Sequence, residues 1–166
     1  MTGCDRPEPV LRDAELSDAE WVVAIINYYA STGFAVFSTP PVPLGFFSDL
    51  LSNALSCSVL DEAGLVIGFG CMSPLLPFSA FAPTVLLSLY IAPGRTRQGL
   101  GTRLLDHLTA EARALGCQHL VVTVASRNTP SLRFHERHGF AEVGRLKDVG
   151  TRFGMPFDLV WLQREL

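Results

Sequence analysis

The segment Arg97-Gln98-Gly99-Leu100-Gly101-Thr102 holds residue types that could bind a phosphate, and it falls between an apolar run and an amphipathic stretch. A helix starting there would offer unpaired N–H groups and a partial positive charge to an anion. Two glycines let the backbone curl against a ligand with no Cβ in the way. Arg95, Arg97 and Arg103 add charge around the turn. Two other phosphate motifs do not fit. The dinucleotide fingerprint needs a third glycine where Leu104 stands. The P-loop needs Gly-Lys-Ser/Thr after a longer glycine loop, and no such run occurs. On spacing alone, the turn suits a structural role as well as a binding one.

The remaining reactive residues give weaker signals. Cys4, Cys57, Cys71 and Cys117 lie far apart, with no C-x-x-C pair and no histidine in ligand spacing. They are expected to be ordinary thiols in a reducing compartment, with neither zinc nor a disulfide, and the chain to be cytoplasmic. His107 and His119 read as surface residues and His138 as structural or exposed. A net charge of −3 and the absence of any basic run argue against a nucleic-acid partner. The first ten residues carry acid and proline where a signal peptide would be basic, then apolar. The most apolar stretch, 72–91, is broken by Pro74, Pro77 and Pro83, so no membrane span is expected.

The 166 residues fit one domain spanning 1–166. A short strand is expected at 10–12, then a helix capped by Ser17 that buries Val22, Ile25, Ile26 and Tyr29 on one stripe. An irregular proline-rich segment at 34–43 leads to a second helix over 44–55. Strands at 57–60 and 65–72 flank the hairpin loop Asp61-Glu62-Ala63-Gly64. After a loop at 73–83 come a strand over 84–92 and a helix over 101–115. That helix places Leu104, Leu105, Leu108, Ala112 and Leu115 on one face and stops at Gly116. The run 120–124 reads as a strand buried on both faces. Thr129 and Pro130 open a helix over 131–138 that Gly139 ends. Strands at 140–146 and 157–163 close the chain. The order β-α-α-β-β-β-α-β-α-β-β describes one mixed α/β domain.

From Tyr90 onward the sequence resembles the GNAT superfamily of acetyl-CoA-dependent N-acyltransferases. The resemblance is carried by the turn 96–101, by Asn128-Thr129-Pro130-Ser131, and by His135-Glu136-Arg137-His138-Gly139-Phe140. The ending Gly150-Thr151-Arg152-Phe153-Gly154 through Asp158, with Gln163 beyond, looks most like the phosphinothricin-acetyltransferase group. Asn27-Tyr28 and the stretch 37–40 fit that group too. The resemblance implies an α/β fold with a central, mostly antiparallel, splayed sheet flanked by helices. It also implies acetyl-CoA as acyl donor and a homodimer.

By the same resemblance, Leu89, Tyr90 and Ile91 pair their backbone with the pantetheine arm. Arg97, Gln98, Gly99, Leu100, Gly101 and Thr102 wrap the diphosphate, and Asn128 contacts the cofactor. Thr96 departs from the usual Arg or Gln at the start of the motif. A backbone N–H near Tyr90 would polarise the thioester. His135, where relatives carry a general acid, could protonate the leaving thiolate or order water. The acceptor half differs more. Leu86 replaces the group's glutamate, Leu76 and Phe78 replace basic residues, and Pro156 replaces a tryptophan. Phe34, Phe37, Phe78, Phe81 and Leu86 are therefore expected to line an apolar acceptor pocket. Three readings follow. One is an N-acetyltransferase for a small neutral or apolar amine. The second is an amino-acid acetyltransferase of the phosphinothricin or methionine-sulfoximine type. The third is an acyl-CoA-binding sensor without turnover.

Overall fold

The computed structural model describes residues 7–166, so Cys4 lies outside the described residues. Seven strands form one sheet in the order β1-β2-β3-β4-β5-β7-β6. They are β1 (Val10–Asp13), β2 (Ser56–Glu62), β3 (Leu65–Pro74), β4 (Thr84–Ile91), β5 (His119–Ala125), β6 (Ala141–Arg152) and β7 (Met155–Glu165). Every neighbouring pair is antiparallel except β4 and β5, which run parallel. Four helices flank the sheet: α1 (Ala19–Thr32), α2 (Gly45–Asn53), α3 (Leu100–Ala114) and α4 (Thr129–Arg137). The expected element order and the mixed α/β class both hold.

Each face of the sheet has its own core. On one, α1 buries Val22, Val23, Ile25, Ile26 and Ala30 against Val59, Phe69 and Cys71, with Phe47 of α2 fully enclosed. On the other, Leu104, Leu105, Leu108 and Ala112 of α3 are wholly buried against β3, β4 and β5. This is the stripe that the helical period requires. Leu115 does not join it. It follows the end of α3 and is 54% exposed. Gly116 stops the helix as expected, with φ +80°.

Several local expectations are corrected. Ser17 does not cap α1. A single 3-10 turn, Leu16–Asp18, precedes the helix, and the buried Asp18 carboxylate accepts the Glu15 N–H (2.8 Å). Arg12 on β1 grips both Asp18 oxygens at 2.7 and 2.9 Å and reaches Asp61 at 3.0 Å, which ties the β2–β3 hairpin to the start of α1. Asn128, not Thr129, caps α4: its Oδ1 accepts the Ser131 N–H at 3.4 Å, and Pro130 falls second in the helix. The last two strands run much further than expected. They form a long hairpin closed by Phe153 and Gly154, both at positive φ. Cys57 and Cys71 face each other across β2 and β3, with Cα atoms 4.1 Å apart, and are joined as a disulfide. Ala14 N–H donates to the Cys57 carbonyl, so Cys57 turns its peptide toward β1. The pair is therefore a non-hydrogen-bonded, close-approach pair of the ladder. Cys117 is a buried free thiol, and burial raises its pKa.

The Arg12 guanidinium holds the Asp18 carboxyl below its ordinary range, opposed by the cost of burial. Its stabilisation is complete above the unfolded aspartate pKa and is lost as pH falls through the lower folded value. Asp18→Asn is expected to cost about 2 kcal/mol at neutral pH. In urea melts the difference from the parent should shrink once both are measured in acid.

Candidate functional site

Strands β4 and β5 pair over only three positions, Thr84–His119, Val85–Leu120 and Leu86–Val121. Beyond Leu86 they part, because β5 pairs along its whole length with β7 on its other side. Strand β4 stays on β3 through Ile91 with no shift of register. Ala92 N–H donates to the Ile67 carbonyl (2.8 Å) and Leu75 N–H to the Thr84 carbonyl (3.4 Å), which fixes the alternation between those points. Leu86, Ser88 and Tyr90 therefore turn their peptide groups to β3, and Leu87, Leu89 and Ile91 turn theirs to the gap. Of the three residues expected to meet a pantetheine arm by backbone, Leu89 and Ile91 face the opening and Tyr90 faces away. The Ile91 carbonyl accepts the Tyr29 hydroxyl at 2.7 Å.

The glycine turn stands at the mouth of this gap. Gly99 adopts φ +77°, a conformation that a Cβ would strain, and Arg97 also has positive φ. Leu100, Gly101 and Thr102 form the first turn of α3, and no side chain caps it. Their N–H groups are thus available to an anion. At Gly101 a Cβ would lie 3.3 Å from the Phe134 ring of α4, so the glycine permits the two helices to dock. Gln98 and Arg97 are exposed beside the turn. Arg95 adds less charge than expected, because it pairs bidentately with Glu62 at 2.6 Å.

His135, the expected proton carrier, has no free ring proton, and the Tyr90 hydroxyl is engaged as well. His135 is buried, edge-on to Phe134 and Phe140, and its Nδ1–H donates to the Ser131 carbonyl at 2.8 Å. A carbonyl only accepts, so the neutral ring carries its proton on Nδ1. Burial holds its pKa below the usual value, partly offset by the Ser131 bond and reinforced by His138 nearby. Tyr90 stacks on Phe69, donates its hydroxyl to the Ala35 carbonyl (3.2 Å), and is pushed up to about 12 by burial. His138 and His107 are also engaged. His138 Nδ1–H donates to the Phe134 carbonyl (2.7 Å), which leaves Nε2 to accept the Thr102 hydroxyl at 3.0 Å. His107, expected at the surface, lies 3.2 Å from both Ser58 Oγ and Glu111. His119 contacts Gln163 at 3.2 Å.

The expected apolar pocket is divided. Phe34 and Phe37 pack on Phe157, and Phe34 also meets Phe153, at centroid distances of 5.8–5.9 Å. Leu86 shares a sheet face with Ser88 and Tyr90. Phe78 instead lines a 380 Å³ cavity with Leu55, Thr84, Leu115 and Cys117. That cavity sits at the other end of β4, about 20 Å from Tyr90 along the strand. Phe81 is 39% exposed in the same loop. Two arginines that the sequence did not mark as site residues stand beside the aromatic cluster. Arg127 lies over the Phe34 ring at 5.9 Å. Arg152 lies over Phe153 at 5.2 Å and donates to the carbonyls of Ser38 and Ala30, while its buried Nε has no partner. Those partners are 114 and 122 residues upstream, so no local pattern could reveal them.

With this geometry in view, the family is plain. The family model described as "Acetyltransferase (GNAT) family" matches residues 22–140, and the chain belongs to that family. It is 32% identical over 161 residues to an L-methionine sulfoximine/L-methionine sulfone acetyltransferase of Pseudomonas aeruginosa, covering 94% of each chain. A ribosomal-protein-alanine N-acetyltransferase from Brucella melitensis superposes with a TM-score of 0.87 at 30% identity, covering 95% of this chain and 99% of that one. A phosphinothricin acetyltransferase from Sinorhizobium meliloti, solved with acetyl-CoA, gives 0.87 at 27% identity over 96% and 89% of the two chains.

Because burial disfavours its charged form, His135 should stay neutral at pH 7. Nitrogen-15 NMR is expected to report the Nδ1–H tautomer. Protonation should set in only below the ordinary histidine range, with stability declining as pH falls across that window.

Proposed function

We propose that this chain is an acetyl-CoA-dependent N-acetyltransferase acting on a small amine that carries an apolar body beside an anionic or strongly dipolar group. The observation that carries the transfer reaction is the β4–β5 gap opening onto the uncapped start of α3. A pantetheine arm has the hydrogen-bonding groups of an extended strand, and Leu89 with the Ile91 N–H offers it a ladder edge that β5 does not fill. The diphosphate falls on the N–H groups of 100–102 and the acetyl carbonyl near Leu89 N–H, where a backbone donor stabilises the oxyanion. The Sinorhizobium relative was solved with acetyl-CoA, which supports the same donor here.

Leu86 offers no proton acceptor, so the amine attacks in its neutral form, having lost its proton to water. Attack on the thioester carbonyl gives a tetrahedral adduct with an ammonium nitrogen. The C–S bond breaks as that ammonium proton passes to the thiolate, and neither Tyr90 nor His135 need surrender a proton. Arg127 and Arg152 favour an acceptor with a carboxylate or similar dipole over a purely apolar amine, since the buried Nε of Arg152 seeks a partner. The Pseudomonas relative, named for methionine sulfoximine and sulfone, supports that choice.

Thiol release from acetyl-CoA should be stimulated more by amino acids with apolar or sulfone side chains than by the matching amines without a carboxylate. Arg152→Gln is expected to raise KM for the amino acid about tenfold or more and to change that of the amine little. Equal rates for both acceptor classes would restore the apolar-amine reading, and CoA binding with no turnover would make the chain a sensor. Without an enzymic base, the pH at which the rate rises should move with the acceptor amine's own pKa, and Leu86→Glu should raise the rate near neutrality.

We also propose that β6 is a self-association edge of a homodimer. This long edge strand exposes Val143, Leu146 and Val149 at 50–60%, a surface that monomers normally guard. Light scattering should give twice the chain mass for the parent and the monomer mass for Val143→Lys with Leu146→Lys.

A further inference from the structure

We infer that His138 is a positioning residue for the diphosphate cradle, acting through Thr102; the inference rests on the cofactor reading above. Thr102 is the third residue of α3, inside the turn whose N–H groups would meet the phosphates. Its hydroxyl neither caps the helix nor bonds back along it, but donates to His138 Nε2 at 3.0 Å. That nitrogen is an acceptor because the other ring proton is held by the Phe134 carbonyl.

The bond does not stand alone. The His138 ring packs at 4.3 Å on Phe134, the side chain that closes against Gly101. The first turn of α3 thus rests on the last turn of α4 through one apolar contact and one directed polar contact, at successive residues 101 and 102. The His138 carbonyl in turn accepts from Arg164 of β7 at 3.0 Å. The other guanidinium nitrogen of Arg164 reaches Thr109 Oγ1 at 2.5 Å, and its plane lies over Phe140. Thr102 and Thr109 are seven residues apart on α3, hence on one face. Arg164 and His138 therefore hold α3 at two points along that face.

A cradle made of N–H groups selects its ligand only as well as the groups are aimed, and α3 has no side-chain cap to aim them. His138 supplies the lateral restraint that a cap would otherwise provide. Because the Thr102 proton is committed to His138, the hydroxyl acts by holding the turn and not by donating to phosphate.

The test is calorimetric binding of CoA, together with KM and kcat for acetyl-CoA, on the full chain. Thr102→Val and His138→Leu are each expected to weaken CoA about fivefold, the worth of one ordinary hydrogen bond. Thr102→Ser, which keeps the hydroxyl, should stay within about twofold. The double variant should bind no worse than the weaker single variant, because both remove the same bond. The loss should be read in CoA affinity and in KM for acetyl-CoA alike. Unchanged affinity in Thr102→Val, equal losses in Thr102→Val and Thr102→Ser, or additive losses in the double variant would overturn the inference. If His138→Leu does not fold, the valine and serine variants decide the matter by themselves. A parent protein that binds no CoA would instead overturn the cofactor reading on which the inference stands.

Discussion

The site depends on one limit to strand pairing. β5 can satisfy β4 for only three residues before its long ladder with β7 carries it away. Buried backbone groups require partners, so a strand edge left open within a sheet is a demand for a ligand with strand-like donors and acceptors. The same separation explains where the helices begin. α3 follows β4 and α4 follows β5, so both start at the carboxyl ends of the parallel pair, where open α/β sheets place their ligands. Had β5 stayed on β4 to Ile91, the edge would be filled and the glycine turn would face a closed sheet.

The two halves of the proposed site are built differently. The donor half is mostly main chain: the gap edge, the first turn of α3, and a glycine that must take positive φ. Such a site is expected to tolerate Thr96 in place of Arg or Gln, because its donors are peptide N–H groups. The acceptor half is made of side chains from three distant segments, the 33–38 loop, β4, and the β6–β7 hairpin. Tyr90 and Arg152 hold that loop by its carbonyls, and Asn27 pins the chain beyond it through both groups of its amide, to Val42. A change in any of the three segments reshapes the acceptor pocket and leaves the donor edge intact.

Proton inventory narrows the chemistry. A histidine or tyrosine in an active-site fold invites assignment as an acid, but His135 and Tyr90 spend their protons on the Ser131 and Ala35 carbonyls. Leucine at position 86 removes the carboxylate base that the resemblance leads one to expect. On the proposed reading, the reaction is left to proximity, to the oxyanion donor, and to the acceptor's own acidity.

The sequence by itself determined the element order, the buried stripes of α1 and α3, the hairpin at Ala63-Gly64 and the glycine turn. Each of these follows from local periodicity or from the φ that a single residue must adopt. It misjudged Ser17 and Thr129 as caps, because capping depends on which oxygen the fold brings to the free N–H: no side chain caps α1, and Asn128 rather than Thr129 caps α4. It could not show the Cys57–Cys71 pairing, the separation of Phe78 from Phe34, the Arg152 clamp or the Thr102–His138 bond. Those depend on strand register and on contacts between residues 14 to 122 positions apart. Only the tertiary structure brings such residues together, because spacing along a chain constrains neighbours within a turn or a strand and says nothing about which distant segment will pack against them.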